Sequence, residues 1–425
     1  MNATDPPAPV YEPGNIAWTL TSTALVWLMI PGIGYFYSGM ARSKNALSLI
    51  MLSLCSLAVV TVQCMFAALT PALAIGAAAE RGRILPTLVF IFLWTTFVYD
   101  FIACWTWSAN GWSFVMGGLD FAGGTPVHIS SGGAALAYAI VLGRRSGDRK
   151  DFRPHSMSNV VIGTCFIWFG WFGFNGGSAL SANMRAAMAC VVTNLAASVG
   201  GITWVLLDYP HERKLSVLGF CTGAVAGLVA ITPGSGFVSP ASSVAIGFLG
   251  SVACNMAVRL KHHLKYDDAF DVFAVHGVGG IVGNILTGVF AQSWVAALDG
   301  VTSIPGGWLD GHWIQVAFQL ADSAAGLGWS FTVTFLILFI MNKIPGLNLR
   351  VKADNEQRGL DLAELGESAY AHLNEKAESI HGVDSSVEIG APAPHSGSQS
   401  TESVNEVKVG SVSTLGHHLL TSPAT

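Results

Sequence analysis

Two histidines sit in Gly-rich, otherwise apolar stretches: His128 in Asp120-Phe-Ala-Gly-Gly-Thr-Pro-Val-His128-Ile-Ser-Ser-Gly-Gly, and His276 in Asp271-Val-Phe-Ala-Val-His276-Gly-Val-Gly-Gly. An ionisable group in hydrocarbon is expensive, so one that persists there marks a candidate substrate or proton pathway. A neutral imidazole offers one N–H donor and one lone pair. Two such rings facing each other suit a small neutral hydrogen-bonding molecule, or a proton handed between them. They suit a metal ion poorly, since no Cys or carboxylate at ligand spacing accompanies either ring. The competing reading is a buried histidine satisfied by a backbone carbonyl. An Asp at the start of each stretch, Asp120 and Asp271, moves the balance toward a site. Asp120 itself reads first as a structural residue at the mouth of that site, because an Asp near a helix start satisfies free N–H groups.

Trp105, Trp107 and Trp112 gather at one end of an apolar run. A Trp face attracts a cation by roughly 0.5–2 kcal/mol, which would select ammonium-like ions without a formal charge. An interfacial aromatic belt is the alternative.

The elements that must position these residues are membrane spans. The 425-residue chain is 52% hydrophobic and 11% charged, against about a quarter charged in ordinary soluble domains. Its apolar runs predict an all-α polytopic membrane protein with spans at 16–40, 86–107, 127–143, 157–180, 185–207, 215–233, 241–260, 271–292 and 314–342, and a further apolar block at 46–79. The first run is preceded by an uncharged-to-acidic leader, so it is expected to remain as a span. The seven cysteines lie in apolar segments without metal-type spacing and read as core residues. The net charge of −5, with dispersed basic residues, gives no support to nucleic-acid binding.

Lys and Arg alternate with the spans. They cluster at Arg42/Lys44, Arg81/Arg83, 144–153, Arg213/Lys214, 259–265 and beyond Lys343, while the loops 108–126, 234–240 and 293–313 carry none. Only Arg185 breaks the pattern. With the basic side inward, the amino terminus lies outside, where Asn2 is a glycan acceptor in sequence, and the carboxyl terminus is cytoplasmic. Three regions follow: an outer segment 1–15, a membrane domain 16–344, and a tail 345–425. The tail is expected to dock on the inner face to about residue 370 and to be disordered beyond about Ser379.

Both histidine motifs, with Ala77-Ala-Ala-Glu80-Arg81-Gly-Arg and the tail Asn355-Glu-Gln-Arg358-Gly-Leu-Asp-Leu-Ala-Glu-Leu-Gly-Glu-Ser-Ala-Tyr370, closely resemble the ammonium transporter (Amt/Mep/Rh) family in its fungal style. The likeness covers nearly all of the chain to Tyr370. It implies eleven helices in an inverted repeat, a homotrimer with one pore per protomer, no cofactor, and a plasma-membrane protein that is not an enzyme. Its substrate would be ammonium or ammonia, with methylammonium as an analogue, and its tail would meet cytoplasmic regulators. It further implies that Trp107 recruits ammonium, that Phe66 and Phe174 gate the pore, and that Ser178 supplies the hydroxyl of the outer site. His128 and His276 would be the paired pore histidines, supported by Asp120.

One departure is expected. Between Arg42/Lys44 and Arg81/Arg83 the family has two helices and an outside loop, whereas here only 46–79 joins them. Those residues would make one helix of about 51 Å, too long for a core of about 30 Å, yet two full spans do not fit. Two inward basic clusters demand an even number of crossings, so a short hairpin turning near Gln63, or broken at Pro71, is the expected solution. Helices two and three are then shortened or fused, as in a splice form or truncated gene model. The rival function is accordingly a non-transporting subunit or ammonium sensor.

Overall fold

The computed structural model describes residues 12–60, 65–147 and 152–370, apart from the side chain of His262. Asn2, Gln63 and the distal tail lie outside the described residues. Eleven apolar helices form the body: α1 (Pro13–Met40), α2 (Ser43–Val60), α3 (Met65–Ala78), α4 (Ile84–Met116), α5 (Gly124–Leu142), α6 (Met157–Gly177), α7 (Met184–Glu212), α8 (Val217–Gly234), α9 (Pro240–Leu264), α10 (Phe273–Phe290) and α11 (Gln315–Met341). All but α3 are long and apolar enough to cross a membrane, and the chain is a multi-pass membrane protein. Among the described residues there is no strand, only an isolated bridge between Gly82 and Arg350.

The helix starts are written locally. Ser156, Asn183, Ser216 and Ser239 each cap the helix that follows, accepting from the backbone N–H three residues on, which satisfies one of the four orphan donors there. Small residues then set which helices meet, since lipid supplies no hydrophobic drive for association. α1 packs along α6 through Gly32, Gly163 and Gly173, where an added Cβ would lie 2.4–2.9 Å from the other helix. α5 crosses α10 at Gly132, where a Cβ would stand 2.3 Å from Gly277. First meets sixth and fifth meets tenth, as an inverted repeat requires.

The block 46–79 resolves into two helices rather than one. α2 and α3 are shortened, at about 27 Å and 21 Å, and are not fused. Their arms pack on each other, with the Ser56 hydroxyl donating to Ala68 O (2.6 Å). Both return to the same end, where the N–H and Nε of Arg42 reach Glu80 Oε1 (2.8 and 3.1 Å). Pro71 does not break the chain. The helix runs through it from Met65 to Ala74.

The basic clusters gather at that end with an acidic counterpart. Glu80 pairs with Arg42 and Arg145, and Asp267 with Arg145. Burial alone would raise the Asp267 carboxyl, but the Arg145 guanidinium and N–H hold it well below the usual range. The segment 345–370 packs there too. Asp361 accepts from the N–H groups of Leu47 and Ser48 (3.0 and 2.8 Å), so the tail caps the start of α2. Glu356 takes the Ser146 N–H and pairs with Arg350, while the Tyr370 hydroxyl meets His155 Nε2 at 2.8 Å. Arg185, the exception to the charge pattern, is at the opposite end. It is paired with Asp299 (3.0 Å) and seated against the rings of Phe121 and Phe237, so its charge is neutralised where it stands.

Candidate functional site

A line of rings runs through the body from the end of α4 toward the basic end. Trp107 lies 6.1 Å between centroids from Phe66, at the start of α3, and Phe66 lies 4.3 Å from Phe174 on α6. Phe174 lies 6.0 Å from His128, which also stacks on Trp171 at 5.3 Å. His128 Nδ1 then faces His276 Nδ1 at 3.2 Å. Exposure closes down along the line, from half-buried Trp107 and Phe66 to Phe174 and His128, both at 0%. Residues from α3, α4, α5, α6 and α10 are thus brought to one axis.

The backbone explains why the imidazoles face each other. His128 N–H reaches back five residues to Gly123 O (3.1 Å), so the first turn of α5 is wider than an α-turn. Such turns concentrate at functional sites. α10 opens on a similar turn around His276. The Gly132–Gly277 crossing lets the two backbones approach closely, and Gly280 does the same beside the Cβ of His128. Gly132→Ala places its methyl 2.3 Å from Gly277 and must spread the two helices. We expect it to cost about 1–3 kcal/mol as overpacking and to slow uptake, measured as thermal stability in detergent beside transport rate. Uptake and stability equal to the parent would mean that the crossing yields.

Only one imidazole nitrogen of each ring is spent on the other. His128 Nε2 is buried without a hydrogen-bond partner. A buried, unpaired imidazole nitrogen costs free energy unless something meets it there.

Asp120 is committed to the backbone. Its carboxylate accepts from the N–H groups of Gly123, Gly124 and Thr125 (2.7, 2.8 and 2.7 Å), and its carbonyl accepts the Trp107 indole N–H (3.0 Å). Part of the residue reaches solvent, but the carboxyl is enclosed. Burial, with Asp322 adding to it, pushes its pKa up to about 6 against those three donors. The structural reading of Asp120 therefore carries its geometry. Ser178 follows α6, one turn beyond Phe174, and donates to Phe174 O (2.9 Å).

Asp271 is not the counterpart of Asp120. It has a left-handed backbone (φ 59°) and pairs with Lys261 (2.5 Å). The counterpart is Asp268, which accepts the Phe273 N–H (2.8 Å) at the opening of α10 and is 1% exposed. Burial and then Asp271 raise its carboxyl to about 6 as well. The signal was in the spacing, since Asp120 precedes His128 by the same interval as Asp268 precedes His276.

Comparison with known proteins agrees with this architecture. The model of the Ammonium Transporter Family matches residues 17–63 and 53–370. The two stretches overlap at residues 53–63, so the match is interrupted there. Ammonium transporter 1 of Schizosaccharomyces pombe is 53% identical over 420 residues, covering 87% of this chain and 84% of that protein. Ammonium transporter MEP2 of Saccharomyces cerevisiae is 43% identical over 418 residues, covering 85% and 84%. The crystal structure of Candida albicans Mep2 superposes with a TM-score of 0.77 at 44% identity, over 81% of this chain and 88% of that one. With a family model, close relatives in sequence and a solved fold all matched across most of its length, the chain belongs to the ammonium transporter family.

Proposed function

We propose that the chain carries ammonium across a membrane, recruiting NH4+ at Trp107 and passing NH3 along His128 and His276. The carrying observation is the orphaned Nε2 of His128, enclosed by Trp171, Phe174 and His276. A bare cation in that apolar setting would be costly, whereas a neutral molecule with a hydrogen-bonding station is not. Trp107 meets the cation with its ring face, and the Ser178 oxygen keeps a lone pair for an ammonium N–H. Phe66 and Phe174 close the way to water and hydrated ions. Asp120 supports the site by holding Trp107 and the turn before His128. The proton leaves NH4+ before the rings, and net charge moves if that proton follows. The protein acts as a homotrimer in the plasma membrane, with the amino terminus outside and the docked tail facing cytoplasmic regulators.

A second reading is a non-transporting isoform or ammonium sensor. It is favoured by the interrupted family match and the short α3, and it needs only assembly and a tail. Growth on low ammonium of cells lacking their own ammonium transporters separates the two. We expect this chain to restore growth, and Trp107→Leu to raise the half-saturating concentration by about 2- to 30-fold, the equivalent of one cation–π contact. Absence of growth despite delivery to the cell surface would sink the transport reading and leave the sensor.

A further inference from the structure

Next to His128 in the chain, three helices meet in a buried polar knot. Thr125 lies on α5 three residues before His128, and each of its polar groups is engaged. Its N–H donates to Asp120 Oδ2 (2.7 Å) and its carbonyl accepts from Ser130 N–H, five residues on. Its hydroxyl donates to Asp322 Oδ2 on α11 and accepts from Asn284 Nδ2 on α10 (2.7 Å). The second Asn284 N–H goes to Ser323 Oγ (2.9 Å). Thr125, Asn284, Asp322 and Ser323 are at most 4% exposed. Two glycines make room for them. A Cβ on Gly326 would stand 2.3 Å from the Thr125 methyl, and one on Gly124 2.5 Å from Asn284 Oδ1.

Burying a carboxylate and an amide against three helices is costly unless each finds its partner. Here one hydroxyl meets both the Asp322 carboxylate and the Asn284 amide N–H, while Asn284 Oδ1 is buried without a partner. The knot also ties together the helices that carry the two histidines, since Asn284 lies on α10 two turns beyond His276. A wide turn with i to i+5 bonding is less stable than an α-turn and persists only where its surroundings hold it. If it relaxed to an α-turn, His128 would swing by about 100°, the angle of one residue around the helix.

We propose that Thr125 is the positioning residue of this pore: its hydroxyl, clamped between Asp322 and Asn284, holds the wide turn that aims His128 at His276. The consequence for transport rests on the function proposed above, but the geometry does not. Thr125→Val keeps the shape that packs on Gly326 and removes only the hydroxyl. Thr125→Ser keeps the hydroxyl and loses the methyl.

The test is solid-state NMR of the full chain labelled with 15N-histidine in lipid, reading the hydrogen bond between the two imidazoles, beside uptake kinetics of the same variants. The parent and Thr125→Ser should show the coupled pair, and Thr125→Val should lose it. The maximal uptake rate of Thr125→Val should fall about tenfold, within the range that misplacement of a reacting group costs, with half-saturation unchanged because Trp107 and Phe66 are untouched. A coupled pair that survives Thr125→Val overturns the proposal, and so does its loss in Thr125→Ser, which would assign the effect to packing. If Thr125→Val is not delivered to the membrane, Asn284→Ala removes the clamp from the other helix and carries the same expectation. A parent chain that takes up no ammonium would refute the transport reading alone, since the imidazole coupling is read without transport.

Discussion

Replacing His128 with alanine should reduce ammonium uptake by roughly 5- to 150-fold, the equivalent of the 1–3 kcal/mol lost when a buried polar group has no partner. The reasoning is local. His128 contributes the only buried imidazole nitrogen among the described residues with no hydrogen-bond partner, and it stands between Phe174 and His276 where NH3 would leave the aromatic rings. Without it, an NH3 molecule between two apolar rings has nothing to donate to or accept from until it reaches His276. The remaining ring is left in turn with an unpaired Nδ1. The gap would be lined by the rings of Trp171 and Phe174, and with His276 Nδ1 as its one polar neighbour a water there lacks the two to four partners it needs to replace the imidazole. Initial rates of ammonium uptake, normalised to protein at the cell surface, measure the effect. A rate equal to the parent's would mean that the histidine pair is a packing contact and that ammonium travels elsewhere. Recruitment at Trp107, whose indole N–H is held by Asp120 O (3.0 Å), does not depend on the imidazole, so half-saturation should move less than the maximal rate.

The sequence made the chemistry of this pair legible because histidine is rare and conspicuous in hydrocarbon. It also made most of the spans legible, because an apolar run is a one-dimensional signal. The boundaries drifted where that signal ends before the helix does. The seventh helix was expected at 185–207 but continues to Glu212, since Asp208, Tyr209 and His211 are polar without being unhelical. The hairpin could be posed from sequence as a conflict of length against charge, and the two arms resolve it, since the helix runs through Pro71 and both arms return to the same end. Other features were beyond reach for a physical reason. Thr125, Asn284 and Asp322 are unremarkable in their own helices and acquire meaning only where three helices meet. The order of the rings is of the same kind, since Phe66, Phe174 and Trp107 carry no local mark that sets them apart from other aromatics in the chain. Their alignment was expected only through the family likeness. Asp271 is the carboxylate nearest to the apolar run, but the one that caps the turn is Asp268.

Glu80→Gln should destabilise the protein by about 3 kcal/mol, near the lower limit for breaking a buried ion pair. Glu80 is 1% exposed and its two oxygens serve Arg42 and Arg145. Arg145 keeps its two guanidinium bonds to Asp267 when Glu80 is neutralised, but among the described residues Arg42 pairs with no other carboxylate, which concentrates the loss on one guanidinium. Arg42 is still 18% exposed on its side chain, so water recovers part of the cost, and the lower end of the range applies. Glutamine isolates the charge, because it has nearly the same shape as the Glu80 it replaces at this left-handed position (φ 69°). The damage should be confined at first to the hairpin. Arg42 precedes α2 and Glu80 follows α3, so their bond closes the base of this helix pair, whose arms are otherwise tied by the Ser56–Ala68 bond and by packing. Opening that base releases Phe66, the ring that α3 contributes to the axis. Thermal unfolding in detergent should therefore show a midpoint lower by roughly 5 °C or more, with proteolytic cleavage between Arg42 and Arg83 appearing before the global transition. A midpoint equal to the parent's, with the hairpin still protected, would mean that packing of α2 and α3 against α1 and α5 holds Phe66 without help from the ion pair.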